Sequence, residues 1–179
     1  TANVNNAGLW AVANYVQNRF EYYFGANATY TEFWRTGDMK NGRFPNDSKG
    51  DSKKQRFDNY GVKGGATWKI SGRNYLDANV AYLTRAPFFR NSFISPRTSN
   101  FVIPELTSEK IASADLNYNL RTPYIKARIS AYYTMFMDQT EQKSFYLESE
   151  NSFVNYTMKG IDKVHKGLEI GAEYKLTPA

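Results

Sequence analysis

The chain has 179 residues, a formal net charge of +6, 16% aromatic residues and no cysteine, within the roughly 100–200 residues usual for one domain. Its 14 Tyr, 12 Phe and 3 Trp exclude a solvated disordered chain, and the lack of cysteine excludes disulfide frameworks, thiolate nucleophiles and Cys-ligated metals. No apolar run approaches the ~20 residues of a transmembrane helix, which leaves strand-built membrane proteins open because alternating strands average to a polar hydropathy. The first residues, Thr1 to Asn6, have neither a charged nor an apolar signal-peptide region, and Leu176-Thr177-Pro178-Ala179 read as the start of a turn that continues elsewhere. Both ends look cut, so residues 1–179 are expected to be a single fragment of a longer protein.

Taken in chain order, the segments alternate with period 2, and no dozen residues hold a helical apolar stripe. A first, weaker strand falls near residues 9–16, with Leu9, Ala11, Ala13 and Tyr15 on one side. After a tight turn at Gln17-Asn18, residues 20–30 place Phe20, Tyr22, Phe24, Ala26, Ala28 and Tyr30 opposite Glu21, Tyr23, Asn27 and Thr29. A long polar connection, residues 35–56, leads to a third strand with Tyr60, Val62, Gly64, Ala66, Trp68 and Ile70 against Asn59, Lys63, Thr67 and Lys69. Ser71-Gly72-Arg73-Asn74 turns the chain into Leu76, Ala78, Val80 and Tyr82, opposed by Asp77 and Asn79.

A second long connection, residues 87–110, precedes the clearest strand, in which Ala112, Ala114, Leu116, Tyr118 and Leu120 oppose Ser113, Asp115, Asn117 and Asn119. Arg121-Thr122-Pro123 then turns into Ile125, Ala127, Ile129, Ala131, Tyr133 and Met135 against Lys126, Arg128, Ser130, Tyr132 and Thr134. A third long connection, residues 138–164, leads to Leu168, Ile170, Ala172, Tyr174 and Leu176 against Glu169, Gly171, Glu173 and Lys175. Seven strands with connections alternating short and long predict an all-β, antiparallel up-and-down meander with one plain and one decorated end.

A soluble sandwich fills its apolar face with bulky aliphatic residues, whereas these faces mix Ala with terminal aromatics, as suits contact with fluid lipid. Tyr15, Phe20, Tyr22, Trp68, Tyr118 and Tyr174 fall near the short turns and predict an aromatic girdle. The polar face fits the wet or protein-packed interior of a large barrel. Seven strands with two open edges imply further strands, since in lipid every backbone polar group needs a partner.

The segments Tyr60-Gly61-Val62-Lys63-Gly64-Gly65-Ala66-Thr67-Trp68-Lys69-Ile70 and Asn74 through Phe89, with Pro104-Glu105-Leu106-Thr107-Ser108-Glu109-Lys110 and Asp115-Leu116-Asn117-Tyr118, resemble the TonB-dependent receptors of Gram-negative outer membranes, most like those of Bacteroidota. The resemblance covers most of the chain and corresponds to the C-terminal part of the barrel. It implies a 22-stranded barrel with its own plug domain, outer-membrane lipid and lipopolysaccharide as surroundings, and energy delivered by TonB through the missing N-terminal part. A surface lipoprotein is a further partner of such receptors, and the cargo is an iron chelate, cobalamin or a glycan. The chain has no plug, no TonB-contacting box and no terminal aromatic, so it would not transport alone.

No enzyme, cofactor or metal site is read from the residues. Glu169 and Glu173, four residues apart on one strand, are about 13 Å apart, too far for a glycosidase pair. His165 is the only histidine. Gly61, Gly64 and Gly65 precede no helix and read as sites of strand curvature or close approach rather than a phosphate loop. Lys49, Lys53, Lys54 and Arg56 crowd one loop, but interspersed Asp47 and Asp51 favour a solvated loop over nucleic acid, with lipopolysaccharide phosphate as the alternative partner.

Ligand contact is assigned to loop side chains able to stack on a substrate or grip its anionic groups: Arg85, Phe88, Phe89, Arg90 and Trp34, with Phe44, Phe93, Phe153 and Tyr156 as further aromatics. The competing reading is that these rings pack the loops together. Arg85, by alternation from Tyr82, faces the interior near the rim. The expectation is therefore ligand import through a plugged barrel. The rivals are a passive or enzymatic outer-membrane barrel and a soluble sandwich binding carbohydrate or nucleic acid.

Overall fold

The structure, a computed structural model, describes residues 1–176, so the expected terminal turn lies, beyond Leu176, outside the described residues. The strands are β1 (Ala2–Gln17), β2 (Phe20–Gly37), β3 (Gly50–Asp51), β4 (Gln55–Lys69), β5 (Asn74–Arg85), β6 (Glu109–Arg121), β7 (Ile125–Leu147) and β8 (Ser152–Tyr174). Seven of them pair in the order β1-β2-β4-β5-β6-β7-β8, each antiparallel to its neighbour, and the two-residue β3 pairs with the end of β2. This is the expected all-β meander. Tight turns at one end leave the long connections at the other, and Asn18 takes the left-handed conformation (φ 50°) that its two-residue turn requires.

Registry carries the alternation of single strands across the whole sheet. Tyr15, Tyr22, Ala66, Ala78, Leu116, Ala131 and Leu168 form one row, and Phe20, Trp68, Leu76, Tyr118, Ile129 and Ile170 form the next. Phe20 and Trp68 stack with ring centroids 6.0 Å apart, and the Tyr118 hydroxyl donates to Asn74 Oδ1 at 2.6 Å, as girdle residues at a wet boundary do. Tyr30, Tyr60, Tyr82 and Tyr133 mark the other boundary on the same face. Along β4, Tyr60 to Trp68 spans nine residues, within the roughly 9–11 that cross a hydrocarbon layer.

Among the described residues no second layer covers this face: Leu9 is 82% exposed, Leu168 66% and Ile170 72%. The soluble-sandwich alternative required a facing layer there. β1 departs from the pattern, because Trp10, Val12 and Val16 put apolar groups on its other face as well.

The opposite face is knitted by side chains in cross-strand rows. Thr67 donates to Asp77 Oδ1 at 2.6 Å, Asn119 donates to Asp77 Oδ2, and Asn79 donates to Asp115 Oδ1 at 2.8 Å. Arg128 Nη2 donates to Asn117 Oδ1 at 2.6 Å, while Nε donates to Ser130 Oγ at 2.8 Å. Tyr23 on β2 reaches across β4 to donate to Asn79 on β5 at 2.9 Å, and it can do so because the residue between them is Gly65. That is the close approach expected of this glycine.

Two expectations about connections are corrected. Strands at the decorated end run past the apolar belt, β2 to Gly37 and β7 to Leu147. Residues 138–164 are therefore a hairpin extension of β7 and β8 closed by Asn151 at φ 46°, not a long loop. Its pairing continues through Phe145↔Val154 and Tyr146↔Phe153 after register shifts between Phe136 and Glu141. Each shift changes which face a residue occupies, so the period-2 pattern loses phase and the segment reads as irregular.

A Cβ on Gly65 would come within 2.9 Å of the Ala78 carbonyl oxygen, whereas one on Gly171 meets nothing within 4 Å. Gly65→Val is expected to lower stability by about 1–3 kcal/mol and Gly171→Ala to leave it near wild type. Unfolding midpoints of the detergent-solubilised protein check this.

Candidate functional site

At the decorated end the polar face of the sheet becomes a docking platform. The alternation that places Tyr23 and Asn27 on this face of β2 also places Phe33 and Arg35 there, and β4 adds Phe57 opposite Thr31. Phe33 is 2% exposed and Phe93 fully buried, so the loop of residues 86–108 folds down onto the wall. Phe33 stacks on Phe57 at 5.6 Å and meets Phe89 edge-on at 5.8 Å, while Phe89 and Phe93 lie 4.9 Å apart. Ala86, Val102 and Leu106 complete this small core.

Arg35 holds the second layer of the dock. Its guanidinium is buried and donates from Nε to the Pro96 carbonyl at 3.1 Å, from Nη2 to the Arg97 carbonyl at 2.9 Å and from Nη1 to the Ser48 carbonyl at 2.9 Å and to Asn100 Oδ1. One side chain thus fastens the connection after β2 to the connection after β5. Gly37 permits the crossing, since a Cβ there would meet the Ser48 backbone. Asp47 adds two bonds, accepting from Ser99 Oγ at 2.6 Å through its carboxylate and from the Asn100 amide at 2.6 Å through its carbonyl.

The β7–β8 extension closes the third side. Gln142 Nε2 donates to the Phe93 carbonyl at 2.8 Å, Asn155 Nδ2 to the Ile94 carbonyl at 2.8 Å, and Asn91 Nδ2 to the Thr140 carbonyl at 2.7 Å. From the connection after β2, Arg43 donates to Ser152 Oγ at 3.2 Å and to the Phe153 carbonyl at 3.1 Å. Between these three segments lies an open cleft of about 880 Å³ lined by Arg43, Phe44, Arg90, Ile94–Thr98, Gln142, Ser144 and Phe153–Asn155.

The residues assigned to ligand contact from sequence separate in space. Arg90 lines the cleft, as do Phe44 and Phe153. Arg85 does face the polar side, where Nε donates to Glu109 Oε2 at 2.8 Å and the guanidinium lies 4.7 Å from the exposed Phe88 ring. Phe89 and Phe93 pack in the aromatic core instead of offering free faces. Trp34 lies on the opposite, apolar-side face of β2, one residue out of phase with Phe33 and Arg35, with the Lys54 ammonium 4.2 Å over its ring. Tyr156 pairs with Lys143, out of phase with the cleft-lining Gln142 and Asn155.

Sequence reasoning missed Arg43, Arg97, Arg35 and Glu109. For Arg35 the signal was present, because it shares a face with Phe33 by simple alternation. Glu109 was within the quoted motif, and only the pairing of β5 with β6 sets it opposite Arg85.

On the outward side of the rim, Glu32 accepts from Arg56 Nε at 2.8 Å and from Lys54 Nζ at 3.3 Å. The Arg56 hydrogen bond, with Lys54 beside it, holds the Glu32 carboxyl below its ordinary value of 4.5. Two of the four clustered cations are thus engaged within the protein.

No protein-family model matches this chain, and no curated protein matches it in sequence. A solved structure of "Copper transporter OprC" superposes with a TM-score of 0.79 over 98% of this chain at 16% identity. The chain spans 27% of the length of that protein. Likeness at this identity establishes the fold: an antiparallel meander forming part of a large transmembrane β-barrel.

Two outcomes follow from these contacts. Arg35→Gln removes donors from the buried Ser48 carbonyl and the part-buried Pro96 and Arg97 carbonyls, at about 1.5–3 kcal/mol for a lost bond to the charged group. Limited proteolysis is expected to cut residues 38–49 and 87–108 faster while the strands stay protected. For Glu32, whose folded pKa is depressed, the stabilisation is present above 4.5 and is lost as the pH falls through the folded value. The difference in unfolding midpoint between wild type and Glu32→Gln is expected at neutral pH and is expected to vanish on acidification.

Proposed function

We propose that this chain is part of the wall of an outer-membrane transport barrel of the TonB-dependent receptor type, which imports a scarce ligand across the outer membrane of a Gram-negative bacterium. The observation that carries this reading is the unbroken apolar face across seven strands, bare of any layer among the described residues and bounded by two aromatic belts. On this reading that face meets lipid, with lipopolysaccharide around its loop end, and the hydrogen-bonded polar face lines the interior. The free edges of β1 and β8 then pair with further strands of the same barrel, because an unpaired strand edge is not tolerated in hydrocarbon.

The decorated end is the extracellular, ligand-receiving side, and the polar wall contacts the barrel's own plug, through which TonB delivers energy. The role is transport, not catalysis. A loop cap already docked by Arg35 and the Phe33 cluster supports a receptor that presents a formed surface to its cargo. A surface lipoprotein is a further partner consistent with this arrangement.

The test is uptake. In a strain lacking the intact protein, accumulation of one member of a panel of ferric citrate, cobalamin, copper and oligosaccharides is expected to fall, and the same uptake is expected to stop when the proton gradient is collapsed. Recovery of the protein in the soluble fraction without detergent, or passage that ignores the gradient, would overturn the reading.

A further inference from the structure

The cleft at the loop end carries charge of one sign. Arg43, Arg90 and Arg97 line it, no Asp or Glu does, and none of the three makes an ion pair among the described residues. Behind it, Arg35 is buried with carbonyl and amide oxygens as hydrogen-bond partners and makes no ion pair among the described residues. A concave site with one sign of charge and partly apolar walls concentrates field and counter-ions.

The two arginines with free heads stand on fixed backbone. Arg90 lies in a short 3-10 turn whose Asn91 amide bonds the Phe88 carbonyl at 2.9 Å and whose neighbours Asn91 and Ser92 are buried. Arg97 lies in a turn closed by the Ser99 amide on the Ser95 carbonyl at 2.8 Å, and its own carbonyl is held by Arg35. Both side chains are exposed and donate no hydrogen bond among the described residues. Anchored backbone under uncommitted guanidinium groups lowers the ordering cost of gripping an anion.

We propose that this cleft binds a ligand carrying two or more carboxylate or phosphate groups, which Arg90 and Arg97 engage, with Arg43 completing the positive wall and the ligand body lying against Phe44 and Phe153. The proposal rests on the reading of this end as the ligand-receiving side. The same chemistry has two sources, a soluble polyanion or the phosphorylated core of neighbouring lipopolysaccharide.

The experiment measures binding of citrate and pyrophosphate to the intact protein in detergent at low salt by calorimetry, alongside retention of phosphorylated and dephosphorylated lipopolysaccharide. Arg90→Gln combined with Arg97→Gln is compared with Lys143→Gln, which lies between the cleft-lining Gln142 and Ser144 and faces away. Heat-modified gel mobility verifies that every variant keeps its barrel. The double variant is expected to weaken anion binding by at least about tenfold, with strong salt dependence in the wild type and no change for Lys143→Gln.

Selective loss of the soluble anions identifies a soluble ligand, and selective loss of phosphorylated lipopolysaccharide identifies the lipid source. Wild type and double variant indistinguishable for every probe, or equal loss in Lys143→Gln, would overturn the proposal. Uptake that persists in a double variant with unchanged binding leaves transport standing without this site, whereas anion binding in a protein that supports no uptake defeats the transport reading alone.

Discussion

Residue-for-residue antiparallel pairing is the constraint on which the rest of this protein depends. Because side chains alternate faces strictly, an unshifted ladder turns the pattern of one strand into rows that cross the whole sheet, and one slip would send every apolar group to the wrong side. The ladder holds without a shift from β1 to the lower part of β7 and β8. The same register that aligns Tyr22, Ala66 and Leu116 in one apolar row sets Glu21, Thr67, Asp77 and Asn117 in one polar row. Hydrogen bonding there substitutes for a hydrophobic core, and Gly65 marks where a cross-strand bond needs the space of a missing side chain.

That register, continued past the apolar belt, builds the loop platform. Phe33, Arg35, Phe57, Arg85 and Glu109 are polar-face positions of strands that outrun the membrane-sized segment, so the loops find aromatic rings and charged donors already in place. The clustered buried apolar side chains Phe33, Phe57 and Phe93 lie here, at the end of the sheet and not in its middle. Arg35 fits such a place because a planar guanidinium directs five donors in a fixed fork at loop oxygens on two sides, where a lysine ammonium offers three donors from a single point. Three chain segments far apart in sequence become one cap, and the cleft between them inherits its shape from bonds that leave the Arg90 and Arg97 guanidinium groups uncommitted.

Legibility in the sequence followed the regularity of the backbone. Strands at residues 60–70, 76–82 and 111–120, whose apolar and polar positions never change phase, were readable with their faces, and so was the alternation of plain and decorated ends. The hairpin of residues 138–164 was not, since Asp138 and Gly160 in left-handed conformations and the neighbouring register shifts break the phase on which such reading relies. Among loop side chains, composition alone did not separate Phe89, which packs on Phe33, from Arg90 beside it, which opens into the cleft. Trp34 was misjudged for a related reason: strand geometry reached further into the supposed loop than polar composition implied, and alternation there puts it on the far face.

The amino-acid sequence by itself determined the strand class, the two unlike faces and the polarity of the meander's ends, because these depend on short-range alternation and turn chemistry within a few residues. Which loops touch, which arginine is buried and which stay free was decided only by the tertiary structure. Those outcomes turn on contacts between residues dozens of positions apart, such as Arg35 with Arg97 and Phe33 with Phe93, and no local pattern encodes the separation at which two chain segments will meet.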